Sequence, residues 1–328
     1  SISPVDSTFK RFHSMSHYTL LFIISTFFLF LSTPLIFAAS SFSGDFLSLG
    51  GGARGIALGR SYVAISDDAT STYWNPSGLI AVTNKQIHLM HSERFSGQIK
   101  HDFIAYAVPL SKDYAVGIGL LRVAVPDIAF TRLSNPSASL SETNRPVVTS
   151  TETSADYAVY ISGAKHLRER LNVGFSIKII HRAISTYQAN GVGLDIGARF
   201  VVTPDIQIGL IVKDATNTAI HWNTNAVDKI SPLLILGSSY KINPFGGSST
   251  FALSIRANES SHENSNSFPF SASVEHNHNI LAIRFCHEDS QQNIGIGLKP
   301  YSSIGLDITY TQHEELESTY QVSANFSF

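Results

Sequence analysis

The sequence predicts an all-β fold: a transmembrane antiparallel β-barrel of about 14 strands. Three observations predict this fold. Apolar and polar residues alternate along most of the chain after residue 85, with the period of two that is typical of strands. Charged residues recur on the polar sides, where a water-filled lumen accepts them and a dry core does not. Long and short connections alternate, which is typical of outer-membrane barrels.

The alternation is carried by segments close to the roughly 9–11 residues that a tilted strand needs to cross a bilayer. The clearest are residues 172–180, 191–200, 205–213, 250–256, 293–299, 303–310 and 319–328. The weaker ones are residues 85–93, 101–109, 113–123, 155–163, 232–241, 268–276 and 279–287. Ile177, Leu194 and Ile208 should face lipid, whereas Ser176 should face the lumen.

Charged residues on the polar faces of these segments predict a mixed-sign network in the lumen, and a selectivity filter is the alternative. The residues concerned are Lys178, Asp195, Arg199, Arg256, Glu275, Arg284 and Asp307.

The connections predict the orientation of the barrel. The longest ones, residues 124–154, 214–231 and 258–267, all follow odd-numbered strands. The short ones, residues 110–112, 201–204, 277–278 and 300–301, follow even-numbered strands. We therefore expect long loops outside and short turns in the periplasm. The apolar start of residues 124–154 could recruit a hydrophobic ligand or a protein partner, or it could cap the barrel.

The last segment alternates without interruption. Tyr320, Val322, Ala324, Phe326 and Phe328 share one face, and Gln321, Ser323, Asn325 and Ser327 share the other. A final strand ending in Phe328 resembles the signal by which the barrel-assembly machinery takes up bacterial outer-membrane proteins. The alternative for this strand alone is the edge of a soluble β-sandwich.

Residues 1–39 are predicted to be a signal peptide with an upstream extension. Lys10 and Arg11 precede an apolar run from Tyr18, and small residues at Ala38 and Ala39 end it. A single transmembrane anchor is the alternative, since the run is long enough to span a bilayer. Residues 40–84 then form a separate N-terminal segment, and residues 85–328 form the barrel.

Composition and motifs exclude several functions. Only 15% of the 328 residues are charged and the net charge is -2, so no nucleic-acid partner is expected. Cys286, the only cysteine, excludes an intramolecular disulfide framework. No G-x-S-x-G elbow occurs, and no Cys or carboxylate cluster near His276 and His278 completes a metal site. We therefore expect no enzyme activity, no metal and no cofactor.

Residues 44–80 do not alternate. Gly50, Gly52 and Gly55 match G-x-G-x-x-G, but a dinucleotide site is rejected because no βαβ unit surrounds them. A short helix is predicted over residues 69–73, capped by a preceding aspartate. Pro76 should end it and make Asn75 extended.

This segment closely resembles the opening of the PorV/PorQ-type outer-membrane proteins, relatives of the FadL long-chain fatty acid transporters. The resemblance implies that residues 40–84 are an N-terminal hatch or plug segment (the hatch segment). The resemblance rests on Asp67-Asp68-Ala69 and on Asn75-Pro76-Ser77-Gly78-Leu79, where Ser77 replaces the alanine of an Asn-Pro-Ala hatch motif. Residues 193–197 and 203–205 agree with it. It implies a bacterial outer-membrane barrel of fourteen strands in contact with membrane lipid. It also implies either passive transport of small hydrophobic compounds or a PorV-like role in binding exported proteins for a secretion system.

Overall fold

Antiparallel strands close into a ring in this computed structural model, which describes residues 42–244, 246–257, 269–289, 291–314 and 316–328. The predicted signal peptide and the predicted connection at residues 258–267 lie outside the described residues. The sheet holds sixteen strands, of which β8 and β9 form a hairpin beside the ring of fourteen. The predicted fold class is confirmed.

The strands are β1 Gln86–Arg94, β2 Ile99–Pro109, β3 Tyr114–Leu133, β4 Pro146–Arg168, β5 Leu171–Ile184, β6 Tyr187–Thr203, β7 Ile206–Lys213, β8 Thr218–Trp222, β9 Val227–Ile230, β10 Leu233–Ile242, β11 Ser248–Ala257, β12 Phe270–His278, β13 Leu281–Glu288, β14 Gln291–Tyr301, β15 Ile304–His313 and β16 Thr319–Ser327.

Pairing between β1 and β16 closes the ring. Gln86 lies opposite Ser327, and Glu93 lies opposite Tyr320. The other neighbours in the ring are consecutive along the chain, except that β7 pairs with β10 across the inserted β8–β9 hairpin. A closed ring pairs the backbone groups of every strand, and this is what allows strands to cross a membrane.

Inward and outward residues alternate as predicted. Ile177 and Ile208 expose 41% and 39% of their surface on the outer side, whereas Lys178 and Asp195 each expose 1% inside the ring. Ser176 faces inward too, but it is fully buried. Its hydroxyl donates to the Thr72 carbonyl oxygen at 3.1 Å, so this part of the lumen is filled by the hatch segment.

The hatch segment consists of short helices packed inside the ring. They are a 3₁₀ helix at Phe42–Ser48, α1 at Ala53–Leu58, a 3₁₀ helix at Gly59–Ala64, α2 at Ser71–Trp74 and a 3₁₀ helix at Pro76–Ala81. Most of their side chains are buried. Among the described residues, no helix has the length and apolarity needed to cross a membrane.

The prediction that residues 124–154 form a loop is wrong. β3 continues to Leu133 and β4 begins at Pro146, so the two strands leave the ring as a paired ribbon. Pro126 would end a regular strand because it lacks an N–H donor. Here a register shift between Val125 and Ile128 accommodates it, with Asp127 at φ 56°.

The connection at residues 214–231 also differs from a simple loop, because it contains the β8–β9 hairpin. The hairpin pairs with β6, where Gly191 lies opposite Ile220. Ile220 is fully buried, and a side chain at Gly191 would collide with the Ala219 carbonyl oxygen. The hairpin therefore folds inward over the lumen at the long-loop end, the end opposite the short turns.

A closed barrel should migrate differently on gel electrophoresis before and after boiling. Complete strand pairing leaves no free edge, so the detergent-extracted protein should stay compact until heat unfolds it. Semi-native electrophoresis measures the shift. Identical migration of both samples, together with release from membranes by salt, would contradict the barrel.

Candidate functional site

The motif at residues 75–79 is organised by the Asn75 side chain. Its Oδ1 accepts hydrogen bonds from the Ser77 N–H at 3.2 Å and from the Ser77 hydroxyl at 2.7 Å. Its Nδ2 donates to the Val63 carbonyl oxygen at 2.9 Å and lies 3.4 Å from the Ala198 carbonyl oxygen of β6. The Asn75 side chain thus links two turns of the hatch segment to each other and contacts the barrel wall.

Pro76 shapes the chain as predicted, because α2 ends at Trp74 and Asn75 is extended at φ -164° and ψ 104°. The predicted helix over residues 69–73 instead spans Ser71–Trp74, and its N-cap residue Thr70 makes no side-chain cap. The Asp68 carboxylate accepts from the Thr70 N–H at 2.9 Å, two residues on, so it forms a turn and leaves the helix uncapped.

Two pairs of glycines on neighbouring strands leave space for the hatch segment to contact the barrel wall. Gly174 and Gly197 face each other on β5 and β6. A Cβ at Gly174 would lie 2.5 Å from the Pro76 carbonyl carbon, and one at Gly197 would lie 2.1 Å from Asn75 Oδ1. Only glycine permits this approach. The second pair is Gly209 and Gly237 of β7 and β10, which receive Val63 in the same way.

Asp67 and Asp68 both meet Arg54. The Arg54 Nη1 lies 2.5 Å from Asp67 Oδ1 and 3.6 Å from Asp68 Oδ2. Tyr62 donates its hydroxyl to Asp68 at 3.1 Å. Burial raises the pKa of Asp68, but the Arg54 guanidinium and the Thr70 hydrogen bonds outweigh this and hold that pKa below its usual value. Asp68 therefore stays ionised inside the hatch segment.

Arg54 also bonds to the barrel. It donates to both carboxylate oxygens of Glu275, at 2.9 and 3.0 Å. Glu275 in turn accepts from Arg284 at 2.6 Å, and Arg284 donates to Asp307 at 2.6 Å. A chain of charges thus runs from the hatch segment across three strands. We call the inward residues Arg256, Glu275, Arg284, Glu288 and Asp307 the charged wall.

The remaining predicted lumen residues are also placed inside the ring. Lys178 lies 3.2 Å from Asp195 and 2.7 Å from Asp214, which folds in from the connection after β7. Arg199 donates to the Ser66 carbonyl oxygen at 2.8 Å. Arg256 donates to Glu288 at 2.6 Å, and Arg60 of the hatch segment pairs with the same Glu288 carboxylate. These ion pairs and hydrogen bonds join the hatch segment and the connection after β7 to the inner face of the barrel.

A polar cavity of about 650 Å³ lies at the short-turn end of the barrel. Arg54, Asp67, Asp68, Arg199 and Glu275 are among its lining residues. The cavity is therefore a vestibule beneath the hatch segment, lined by charged groups.

The opposite side of the lumen is apolar. Phe103, Leu121, Val123, Tyr160 and Ile180 project inward from β2 to β5, and we call them the apolar wall. All but Val123 are nearly or fully buried. They pack with Phe46, Leu47, Tyr73 and Trp74 of the hatch segment in one hydrophobic cluster. The lumen is thus divided into an apolar side and a charged side.

Tyr73 of α2 contacts the apolar wall, and its neighbour Trp74 bonds to the hatch segment. The ring centroid of Tyr73 lies 6.0 Å from that of Phe103 and 5.7 Å from that of Tyr160, in edge-to-face geometry. Trp74 donates its indole N–H to the Gly51 carbonyl oxygen at 2.6 Å. Burial raises the pKa of Tyr73 to about 12, so its hydroxyl stays protonated and donates to the Leu47 carbonyl oxygen.

The other predicted residues lie away from this site. His276 and His278 stack on each other at the short-turn end of β12, facing away from Glu275 and the lumen, and His276 Nδ1 lies 2.8 Å from the Ser249 hydroxyl. Within the described part of the chain, no group of three or more metal-ligating side chains comes together. Phe328 lies beside the start of β1, where its N–H donates to the Lys85 carbonyl oxygen at 2.9 Å.

Sequence reasoning missed the apolar wall and the paired glycines. The signal was present in residues 103–110 and 114–121, where both faces of the alternation are apolar or small. Inward glycines at residues 174, 197, 209 and 237 were a second signal, since a strand interior disfavours glycine unless another backbone approaches.

No protein-family model matches the chain, and no curated protein matches it. Solved structures do share its fold. The Ralstonia pickettii toluene transporter TbuX is 14% identical, with 86% of this chain and 99% of that chain covered at a TM-score of 0.57. The P. putida toluene transporter TodX is 13% identical, with 86% and 99% covered at 0.54. A Pseudomonas aeruginosa FadL homologue is 11% identical, with 85% and 98% covered at 0.53. The chain therefore has the fold of FadL-like outer-membrane barrels.

Proposed function

We propose that this chain lets small hydrophobic compounds cross the bacterial outer membrane passively, through a lumen closed by the hatch segment. The observation that carries the proposal is the apolar wall. The lumen of an outer-membrane pore is ordinarily polar, because water fills it. Here Phe103, Leu121 and Tyr160 form an apolar inner surface that the hatch segment covers, and an apolar solute can follow this surface once the hatch segment moves.

The similar structures support the same function. Two of them are described as toluene transporters and a third as a FadL homologue. The two transporter descriptions favour a transporter over an enzyme. Nothing in the described part of the chain separately supports the PorV-like secretion role predicted as the alternative, and replacement of Asn75 and Pro76 distinguishes the two roles.

Uptake of labelled toluene tests this function. Bacterial cells that produce the chain in their outer membrane should take up toluene faster than empty-vector cells, while glycerol entry should stay equal. Val123→Asp places a charge on the apolar wall, so toluene uptake should fall toward the empty-vector rate. Thr250→Asp, an inward change on β11, is the matched control and should leave uptake unchanged. Equal toluene uptake with and without the chain would contradict the function.

A further inference from the structure

Lys213 places a charged group inside the ring, against the hatch segment. It lies on the inward face of β7, two positions after the fully buried Ile211, and is itself partly buried. Its Nζ lies over the ring of Tyr73, 3.9 Å from the centroid, and 5.7 Å from the ring centroid of Trp74. Both distances are within the roughly 6 Å at which an ammonium is attracted to an aromatic face. Aromatic rings of α2 are thus the partners of this lysine.

The charges around Lys213 leave this role to the rings. In the described part of the chain, no carboxylate forms an ion pair with Lys213. Asp195 and Asp214 attract it at longer range, but both carboxylates pair with Lys178, at 3.2 and 2.7 Å. Lys178 and Arg60 repel it. An ammonium withdrawn from most of its water is costly without a partner, so the contact with the two rings stabilises Lys213.

Tyr73 lies between Lys213 and the apolar wall. Its ring packs edge to face against Phe103 and Tyr160 of that wall, and the Lys213 ammonium lies over its face. A solute that follows the apolar wall therefore meets the place that Tyr73 occupies. It passes only when α2 has moved, and the space then freed is bounded by the apolar wall and by an ammonium that has lost its rings.

The ammonium distinguishes solutes by their π electrons. An aromatic solute in the freed space can present its ring face to Lys213 and replace the contact that Tyr73 made. A saturated ring of the same size buries a similar apolar surface, but it has no negative face, so the ammonium stays without a partner. An aromatic solute therefore favours the state with α2 displaced, because a ligand shifts an equilibrium by its differential affinity for the two states.

We propose that Lys213 forms an aromatic subsite of the lumen, at which the ring of an aromatic hydrocarbon takes the place of Tyr73. The subsite rests on the proposed function and adds its solute class, since aromatic rings pass faster than saturated rings of the same size. Lys213 determines this preference, because the apolar wall alone accepts both kinds of ring.

Uptake of labelled toluene and labelled methylcyclohexane, at equal aqueous concentrations, by cells that produce the chain tests the subsite. Both are methyl-substituted rings of the same carbon count, and only toluene has a π face. After subtraction of the empty-vector rate, toluene should enter at least about fivefold faster, the factor that a single cation–π contact provides. Lys213→Met keeps the apolar part of the side chain and should bring the two rates toward equality. Lys213→Arg keeps the cation and should retain the preference.

The ratio of the two rates separates the subsite from a structural role of Lys213, because a loosened hatch segment changes both rates together. Lys241→Met is the matched control, since Lys241 is a lysine of β10 that lines the vestibule, and it should keep the wild-type ratio. Heat-modifiable migration checks that each variant is folded, and the wild-type ratio tests the subsite even where a variant does not fold.

Equal rates of both compounds through the wild type, or an unchanged ratio in folded Lys213→Met, would overturn the subsite and leave the transport function standing. If neither compound enters faster than in empty-vector cells, the proposed function itself fails, and the subsite fails with it.

Discussion

Replacing Arg54 with methionine should release the hatch segment from the charged wall while the barrel stays closed. Arg54 is the one hatch residue that meets Glu275, Asp67 and Asp68 among the contacts described above. Its loss leaves the buried Asp68 carboxylate without its cation, while Glu275 keeps its ion pair with Arg284. Removing one partner of a buried ion pair costs roughly 3–5 kcal/mol, and we expect the lower end because Arg54 borders the aqueous vestibule.

Hydrogen–deuterium exchange of residues 53–81 in detergent micelles measures this release, because it reports local opening free energies. Arg132→Met is the matched control, since Arg132 is exposed on the β3–β4 ribbon. Exchange should increase in the Arg54 variant alone, with heat-modifiable migration retained. Unchanged exchange in a folded Arg54→Met protein would show that the ion pairs do not hold the hatch segment.

The same variant should change how the hatch segment responds to acid. In the wild type the pKa of Asp68 is lowered, so its stabilising contribution is present at neutral pH and is lost as the pH falls through that lowered pKa. Without Arg54, burial is no longer outweighed and the pKa of Asp68 should rise. Exchange of residues 53–81 in the variant should therefore slow as the pH falls through the raised pKa of Asp68, because protonation removes an uncompensated buried charge, whereas acid should speed exchange in the wild type.

Arginine at Ile177 should destabilise the whole barrel by roughly 2–4 kcal/mol, the cost of a charge near the middle of the lipid face. Ile177 projects outward from β5 between Ile161 and Leu194. Denaturant unfolding in phospholipid vesicles measures the loss. Ser176 was predicted to face the lumen, where arginine would be tolerated, but it is buried against Thr72, so arginine there would collide with the hatch segment.

Gln207→Arg replaces it as the control. Gln207 faces inward on β7 and lines the polar vestibule, where a guanidinium stays hydrated. It should cost far less than Ile177→Arg. If both variants unfold at the same denaturant concentration, the assignment of lipid and lumen faces is wrong.

The barrel was predictable because the environment imposes a simple rule on each strand. Lipid outside and polar groups inside force an alternation that local sequence displays, as in Gly191, Leu194 and Asp195 of β6. The alternation of long and short connections then predicted which end of the barrel carries the long loops. The β3–β4 ribbon was missed because Pro126 signals a break, and only the paired strand shows that a bulge absorbs it.

The site was less predictable because it depends on contacts distant in sequence. Arg54 and Glu275 are 221 residues apart, and nothing local to either residue indicates the pair. The apolar wall weakened the alternation of apolar and polar residues that predicts strands. Phe103 and Leu121 are apolar residues at inward positions of β2 and β3, where polar residues are expected. The motif at residues 75–79 was recognisable, but the glycines that receive it were not.

Simultaneous replacement of Asn75 with glycine and Pro76 with alanine tests most directly whether the hatch segment closes a transport route. The change removes the side chain that joins Val63 to β6, and it frees the turn that Pro76 stiffens. Barrel pairing does not involve either residue. The purified double variant is reconstituted in vesicles for toluene flux and in a planar bilayer for ion conductance, and heat-modifiable migration verifies its fold. We predict that flux and conductance both rise above those of the wild type. A folded double variant that matches the wild type in both, but no longer binds an exported protein, would contradict the transport function and favour the secretion role.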